Sequence, residues 1–255
     1  MINAATDVNL LKVYFGGEYK INDKISIYQP TIGDIIDLNE KEYWNLIYSL
    51  TAISSDFKSE LFDRGYDYTK ISDLEMFHII TSQMPVERTR IVFGDLDFRK
   101  FKKCIQKNNG LLVLFDEENN IRIDKRLHEI IQGVLCTIHS IKKKPEFPAN
   151  DIVKRILIDE DRRRKASHKE DTWRSTLLPL ISTMVNSSGF KYDLEGIKKL
   201  GLFAFMDSVT RITTINTSNL LLQGIYAGRV DPKQVSKKSL DYIRDFYSSQ
   251  NHTEK

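Results

Sequence analysis

Apolar residues recur at three- and four-residue spacing along most of this chain, in short segments that follow helix-capping residues. Thr31 with Asp34, and Ser72 with Glu75, have the spacing of a capping box, and Asp124 precedes the most regular segment. That segment places six apolar residues on one helical face: Leu127, Ile130, Ile131, Val134, Leu135 and Ile138. An earlier helix is predicted from Tyr43, Leu46, Ile47 and Leu50. The pattern predicts a mainly α-helical protein.

Two shorter regions have the alternating pattern of strands. Near the N-terminus, residues 11–15 and the segments on either side of Asn22 and Asp23 predict a small β element. The segments "GLLVLF" (110–115) and "IRI" (121–123) flank the polar turn "DEENN" and predict a second hairpin near 110–124. We therefore expect an α+β fold that is mainly α-helical, with a small N-terminal β-hairpin, this second hairpin and a C-terminal helical bundle.

The segment "KKKPEFPAN" (142–150) contains two prolines and a lysine run, which end the preceding helix and predict a domain boundary. We expect an N-terminal domain of a hairpin and helices over 1–144 and a C-terminal helical domain over 145–255. Further helices are predicted from Asp97 through residue 105, over 202–228, and from Ser236 to Tyr247. The tail 248–255 is predicted to be disordered.

Composition places the chain among globular proteins. It has 255 residues, of which 41% are hydrophobic and 29% charged, with a net charge of +3. No apolar run approaches the roughly 18 residues of a membrane helix, and the N-terminus has no basic segment followed by an apolar one. We therefore expect a cytoplasmic protein without a membrane partner. Cys104 and Cys136 have no paired spacing, and both are predicted to lie in helices as buried thiols.

The chain lacks the residue patterns of common catalytic and metal sites. Its five histidines form no HExxH motif and pair with no cysteine at zinc spacing. Neither a GxSxG elbow nor a glycine-rich phosphate loop is present. We therefore predict a protein that is not an enzyme and needs no metal or other cofactor.

One basic stretch, "DEDRRRKASHKED" (159–171), is a candidate for binding phosphate groups. Its cations are Arg162, Arg163, Arg164 and Lys165. They lie in the half of the chain, 125–255, that has 23 Lys and Arg against 15 Asp and Glu, a net charge of +8. Five acidic residues bracket this basic surface, and Trp173 is the only aromatic nearby. A solvated helix end, a dock for an acidic protein segment and a nucleic-acid site remain open, and nucleic acid is the less favoured partner.

Several segments resemble a family of tail morphogenesis proteins from tailed phages and prophages of Gram-positive bacteria. They include "YFGGEYKINDKISIYQPTIGDIIDLNEKEYW" (14–44), "FGDLDFRKF" (93–101), "LIDEDRRRK" (157–165) and "LLLQGIYAGRVDPKQVSKKSLDYIRD" (220–245). The strand followed by "QPTIGDII" is also similar to the start of tail assembly chaperones, in which a β element precedes a helical domain. The resemblance covers most of the chain and rests on structural rather than catalytic motifs.

The resemblance implies a chaperone that binds and shields the tape-measure protein or the major tail protein, a tail-tube component, during phage tail assembly in the host cytoplasm. A homo-oligomer remains possible. The alternatives are a structural tail or neck component of the virion and a nucleic-acid-binding phage regulator.

A tape-measure protein would present exposed apolar helical stripes, which a partner can cover with its own helical apolar residues. The natural candidates lie in the C-terminal helices: Phe203, Phe205, Met206, Leu220, Leu221 and Ile225. The alternative is that these residues belong to the core, because helical apolar stripes usually face it.

Overall fold

The computed structural model describes residues 8–106, 110–167 and 172–247. The fold is α+β and mainly helical, as predicted. Twelve α-helices lie within these described residues: α1 (Leu10–Phe15), α2 (Ile32–Leu38), α3 (Glu40–Leu50), α4 (Lys58–Asp63), α5 (Asp73–Thr81), α6 (Val86–Phe93), α7 (Lys125–Ile138), α8 (Asp151–Ser167), α9 (Leu177–Val185), α10 (Leu194–Lys198), α11 (Leu202–Tyr226) and α12 (Lys237–Leu240). The predicted disordered tail 248–255 lies outside the described residues.

Two small antiparallel sheets accompany the helices. Strands β1 (Gly17–Lys20) and β2 (Ser26–Gln29) form the N-terminal hairpin, with Tyr19 opposite Ile27. Strands β3 (Lys102–Ile105), β4 (Leu112–Asp116) and β5 (Ile121–Ile123) form a three-stranded sheet in that order. Both predicted hairpins are therefore confirmed, and β3 extends the second one.

Residues 11–15 are helical, so the strand predicted there is wrong. The Asn9 side chain accepts a hydrogen bond from the backbone N–H of Lys12 at 3.0 Å and caps α1. Leu11, Val13 and Phe15 alternate in sequence, but only Val13 is buried. The local pattern fits both the helical and the strand period, and in the part of the chain that the structure describes no strand pairs with this segment.

The helix predicted from Asp97 to residue 105 is also wrong. A single 3₁₀ turn, Phe98–Lys100, follows the Asp97 cap and brings the aromatic rings of Phe98 and Phe101 into the core. The chain then extends and pairs with β4, so that Cys104 lies opposite Val113 in a strand rather than in a helix. Backbone pairing with a later segment decided this conformation.

The last predicted helix is much shorter than expected. Helix α12 ends at Leu240, and the Asp241 side chain then accepts hydrogen bonds from the backbone N–H groups of Ile243 and Arg244. Such local side-chain contacts compete with helical hydrogen bonds. Ile243, which we expected on an apolar helical face, is 79% exposed.

One hydrophobic core runs across the predicted boundary at residue 144. It contains residues of β2, α3, α5 and α7 together with six residues from beyond the boundary: Leu177, Met184, Ile197, Leu202, Phe203 and Phe205. Within the described residues, the core is therefore continuous across this boundary. A separate small cluster lies beneath α8 and consists of Leu61, Tyr68, Met76 and Ile158.

The "QPTI" segment after β2 joins the N-terminal hairpin to the start of α11. The backbone N–H of Ile32 donates to the carbonyl oxygen of Leu200 at 2.9 Å, and that of Leu202 donates to Pro30 at 3.1 Å. The buried Gln29 side chain donates to the Val13 carbonyl at 2.9 Å and accepts from the Phe203 N–H at 3.4 Å. The segment that links β2 to α2 therefore holds the N-terminal hairpin and α11 together in the core.

Among the described residues, no helix combines the length and apolar character needed to cross a bilayer.

Candidate functional site

Helix α8 lies on the outside of the molecule and is held there by its inward face. Asn150 caps the helix by accepting from the backbone N–H of Val153 at 2.9 Å. Near that end, the Lys154 ammonium lies 3.0 Å from the Asp67 carboxylate. Ile158, 2% exposed, is the one fully buried apolar side chain of the helix. A single apolar anchor is small for a 17-residue helix, so polar contacts must supply part of its attachment.

Most of the predicted basic surface pairs with acidic residues of the same chain. Arg162 contacts Asp63 of α4 and also Asp159, Arg164 lies 2.6 Å from Asp161, and Lys165 lies 2.7 Å from Glu60. Arg163 makes a long hydrogen bond of 3.4 Å to the Asp159 carbonyl. Arg162, Arg164 and Lys165 of this candidate phosphate-binding surface are therefore engaged by acidic groups within the chain. Arg164 pairs with Asp161 within the same helix, whereas Arg162 and Lys165 also meet Asp63 and Glu60, which lie about 100 positions away and which sequence spacing does not reveal.

Asp161 is the centre of this ion-pair network. Its fully buried carboxylate accepts hydrogen bonds from the Ser59 hydroxyl at 2.6 Å and from Arg164, and it lies 2.7 Å from the Lys165 ammonium. Burial alone would raise the pKa of the carboxyl group, but the bonds from Lys165, Ser59 and Arg164 outweigh it and lower the pKa. Asp161 thus remains charged and attaches α8 to α4.

The outward face of α8 and the segment just before the helix carry apolar side chains that the rest of the described chain leaves exposed or half-exposed. Ile152 is 72% exposed and Ile156, one helical turn later, is 49% exposed. Val153 is 36% exposed, and Phe147, just before the helix, is 82% exposed. We call these four residues the α8 apolar stripe. Single exposed apolar residues are ordinary, but a group of this kind on one helix marks an interaction surface.

Sequence reasoning missed the α8 apolar stripe, although a signal was present. The segment "IVKRILI" (152–158) has five apolar residues among seven, which is more than one face of a helix can bury. Only Ile158 is fully buried. Apolar residues on opposite sides of one helix indicate that the second side has a role other than packing within the chain.

The predicted partner-binding residues divide between core and surface. Phe203 and Phe205 are 2% and 0% exposed and belong to the hydrophobic core, and Met206 packs against it. The prediction that Phe203 and Phe205 contact a partner is therefore wrong for the folded chain, because both rings are buried, with Phe203 packed on Tyr247 and Phe205 packed on Phe190. Phe203 and Phe205 instead follow the alternative stated for them, that they belong to the core.

The last turns of α11 retain part of the predicted surface. The chain after α11 folds back on the helix, and Ser218 donates to the Ser239 carbonyl at 2.7 Å. Leu221 and Ile225 are half-buried, whereas Leu220 is 69% exposed. Tyr226, two turns beyond, is 85% exposed. Only Leu220 of the six predicted residues is fully available at the surface.

A cleft of about 760 Å³ lies beside α8. Its walls come from α3, from the turn that leads into α4, and from the segment after α7. Six basic and two acidic side chains line it, so its net charge is +4. We call it the basic cleft. A volume of this size is typical of ligand-binding clefts.

The buried titratable groups near the core are held in neutral forms. Burial lowers the pKa of His128 to about 4, and it lowers that of His139 to about 4 although a bond to the Leu135 carbonyl acts in the opposite direction. His139 accepts from the Tyr43 hydroxyl at 2.5 Å. Burial raises the pKa of the Cys136 thiol to about 11. Near neutral pH these groups act as packed, hydrogen-bonded core side chains.

Within residues 8–106, 110–167 and 172–247, no three His, Cys, Asp or Glu side chains are arranged to hold a metal ion.

Comparison with known proteins gives no match. No family model fits the chain, and neither a curated protein nor a solved structure is significantly similar to it. Function can therefore be inferred from the chain's own surfaces and from the sequence resemblance described above.

Proposed function

We propose that this protein is a binding protein without catalytic activity that shields an apolar helical segment of another protein. Following the sequence resemblance, the client would be the tape-measure protein or a tail-tube component, and the protein would act as a tail assembly chaperone in the host cytoplasm. The observation that carries the proposal is the α8 apolar stripe, with Ile152 and Ile156 exposed on a helix that ion pairs attach to the body.

The stripe has the geometry needed for such a client. Ile152, Val153 and Ile156 lie on adjacent positions of one helical surface, so that a client helix could pack its own i, i+3, i+4 residues against them. Because Ile152 is 72% and Ile156 49% exposed, covering both stabilises a complex by about 2–4 kcal/mol before the cost of association is subtracted. The resulting affinity is modest. Modest affinity suits a chaperone that must release its client when tube subunits take over.

The two alternatives are a structural virion component and a nucleic-acid-binding regulator that would use the basic stretch. A structural tail or neck component would use the α8 apolar stripe in a permanent contact, and it would remain in the virion at ring stoichiometry. Mass spectrometry of purified particles distinguishes this alternative, since a chaperone should be scarce or absent there. The nucleic-acid regulator loses much of its support, because Arg162, Arg164 and Lys165 are engaged by acidic groups.

Co-expression with tape-measure segments tests the proposal. The native protein should increase the soluble fraction of a segment that aggregates alone. The double variant Ile152→Ser/Ile156→Ser should lose most of this effect while its circular dichroism and thermal unfolding stay close to native, because the replaced side chains are exposed. Leu178→Ser, also exposed at 66%, is the matched control on α9 and should retain the effect. No gain in solubility with the native protein, for any segment, would contradict the proposed function.

A further inference from the structure

We propose that the basic cleft binds an acidic peptide segment in an extended conformation. This inference goes beyond the proposed function, because the cleft would recognise negative charge and peptide backbone rather than an apolar helical face. Three features of the cleft support it: cations without an acidic partner, backbone groups without hydrogen bonds, and polar side chains in the lining.

The first feature is an excess of unpaired positive charge. Both acidic side chains of the basic cleft are already paired, Glu146 with Lys58 at 2.7 Å and Asp56 with Lys143 at 2.9 Å. The remaining cations are Arg88, Lys142, Lys144 and Arg164. Of these, only Arg164 makes an ion pair with another described residue, and its side chain is still 63% exposed. The cleft therefore attracts an anionic partner.

The second feature is the wall formed by residues 142–149. Pro145 and Pro148, and Lys144 and Phe147 before them, are restricted to extended or polyproline conformations, and the segment has no regular secondary structure. Within the described part of the chain, its backbone N–H and carbonyl groups make no hydrogen bonds. The two ion pairs of Glu146 and Lys143 nevertheless hold the segment against α4 and the turn before it. A fixed segment with unused backbone groups can pair with an added extended chain.

The spacing of Lys142 and Lys144 also fits a peptide bound in an extended conformation. Lys142 and Lys144 are exposed, whereas Lys143 between them is half-buried and turned to Asp56. In an extended segment, alternate residues point the same way and lie about 6.6 Å apart. Two acidic side chains at alternate positions of a bound peptide would therefore meet Lys142 and Lys144, and Arg88 lies in the lining of the same cleft.

The third feature favours a peptide over nucleic acid. Asn45, Ser49 and Ser55 contribute polar groups to the lining of the basic cleft, and its aromatic side chains are Tyr48, which is 58% exposed, and the half-buried Phe57. A peptide has both donors and acceptors in its backbone and can satisfy residues 142–149, whereas a phosphodiester chain supplies only acceptors there. Binding of single strands also relies on several aromatic platforms along a basic track.

Fluorescence anisotropy with a labelled peptide of alternating Glu and Thr tests the inference on the full-length protein. The native protein should bind this peptide, and binding should weaken as salt increases from about 50 to 300 mM. The variant Lys142→Gln/Lys144→Gln should bind at least about tenfold more weakly. Lys191→Gln/Lys199→Gln, which removes two exposed lysines outside the cleft, is the charge-matched control and should bind within about twofold of native. Equal loss in both variants, or no binding by the native protein at millimolar concentration, would overturn the proposal.

Two further probes test the conformation and the chemical class. A peptide of the same charge with N-methyl groups at alternate residues cannot pair with the segment 142–149, and it should bind more weakly. Equal binding of this peptide would overturn the extended geometry. Tighter binding of a labelled oligothymidylate, dependent on the same two lysines, would overturn the peptide assignment in favour of nucleic acid. The variant Ile152→Ser/Ile156→Ser should bind the acidic peptide normally, so that failure of the proposed function and failure of this inference can be told apart.

Discussion

The Glu40 carboxylate at the start of α3 accepts a hydrogen bond of 2.9 Å from the backbone N–H of Leu177 at the start of α9. It also accepts from the backbone N–H and the hydroxyl of Thr176, each at 2.8 Å, and from the Ser175 hydroxyl. A residue 137 positions earlier thus caps α9 and places a negative charge at the positive end of its dipole. Burial alone would raise the pKa of Glu40, but these hydrogen bonds outweigh it and lower the pKa.

Replacing Glu40 by Ala should therefore destabilise the protein by about 1–2 kcal/mol, because the first turn of α9 loses its acceptor. Since the pKa of Glu40 is lowered by folding, its contribution is present above the unfolded pKa and is lost as the pH falls through the folded pKa. Urea unfolding of the variant at neutral and acidic pH measures both effects. Glu42→Ala, in the same exposed first turn of α3, should cost much less, and an equal loss would contradict the capping role.

Gly201 should not tolerate a side chain. A Cβ atom there would lie 2.3 Å from the Oε1 atom of Gln29, whose amide is held by its hydrogen bond to Val13. Gly201→Ala should therefore destabilise the protein by about 1–3 kcal/mol through overpacking of the junction between β2 and α11. Gly189→Ala is the matched control, because its nearest atom would lie at 3.7 Å. Equal midpoints of thermal unfolding for Gly201→Ala and Gly189→Ala would contradict overpacking at Gly201.

Asp161 should determine how firmly α8 is attached. Asp161→Asn removes the charge that binds Arg164 and Lys165 and should cost about 2 kcal/mol. The loss should appear first as faster hydrogen exchange in α8, before global unfolding changes. Asp159→Asn alters an exposed partner of Arg162 in the same helix and should change stability by less than about 0.5 kcal/mol. Unchanged exchange in α8 of the Asp161 variant would show that the network is not what holds the helix.

Acid should destabilise the fold through His128. Folding lowers its pKa from about 6.5 to about 4, so the unfolded chain binds the proton more tightly and stability falls as the pH drops from 6.5 toward 4. By linkage this residue alone accounts for about 2–3 kcal/mol at pH 4.5. His128→Gln should show a shallower loss of stability over the same pH range in urea titrations. An unchanged slope would mean that His128 does not titrate differently in the folded state.

Local signals in the sequence predicted much of the helical framework. The Thr31 and Asp34 side chains form the predicted capping box, Asp124 caps α7 through the Leu127 N–H, and Tyr43, Leu46, Ile47 and Leu50 are all buried on one face of α3. These features depend on residues three or four positions apart, so the chain specifies them without knowledge of its neighbours. The predictions for α1 and β3 were wrong because their short apolar patterns fit both the helical and the strand period.

Tertiary structure alone decided which apolar and charged side chains are available to a partner. Phe203 and Ile152 both belong to apolar helical segments, yet Phe203 is enclosed by the core and Ile152 faces outward. Likewise, Arg162 and Lys165 appear free in sequence but meet Asp63 and Glu60 of α4. The sequence by itself determined most of the helices, the caps formed by residues next to them, and the class of fold. The surfaces depend on contacts between residues about 100 positions apart, and no periodic pattern along the chain encodes such contacts.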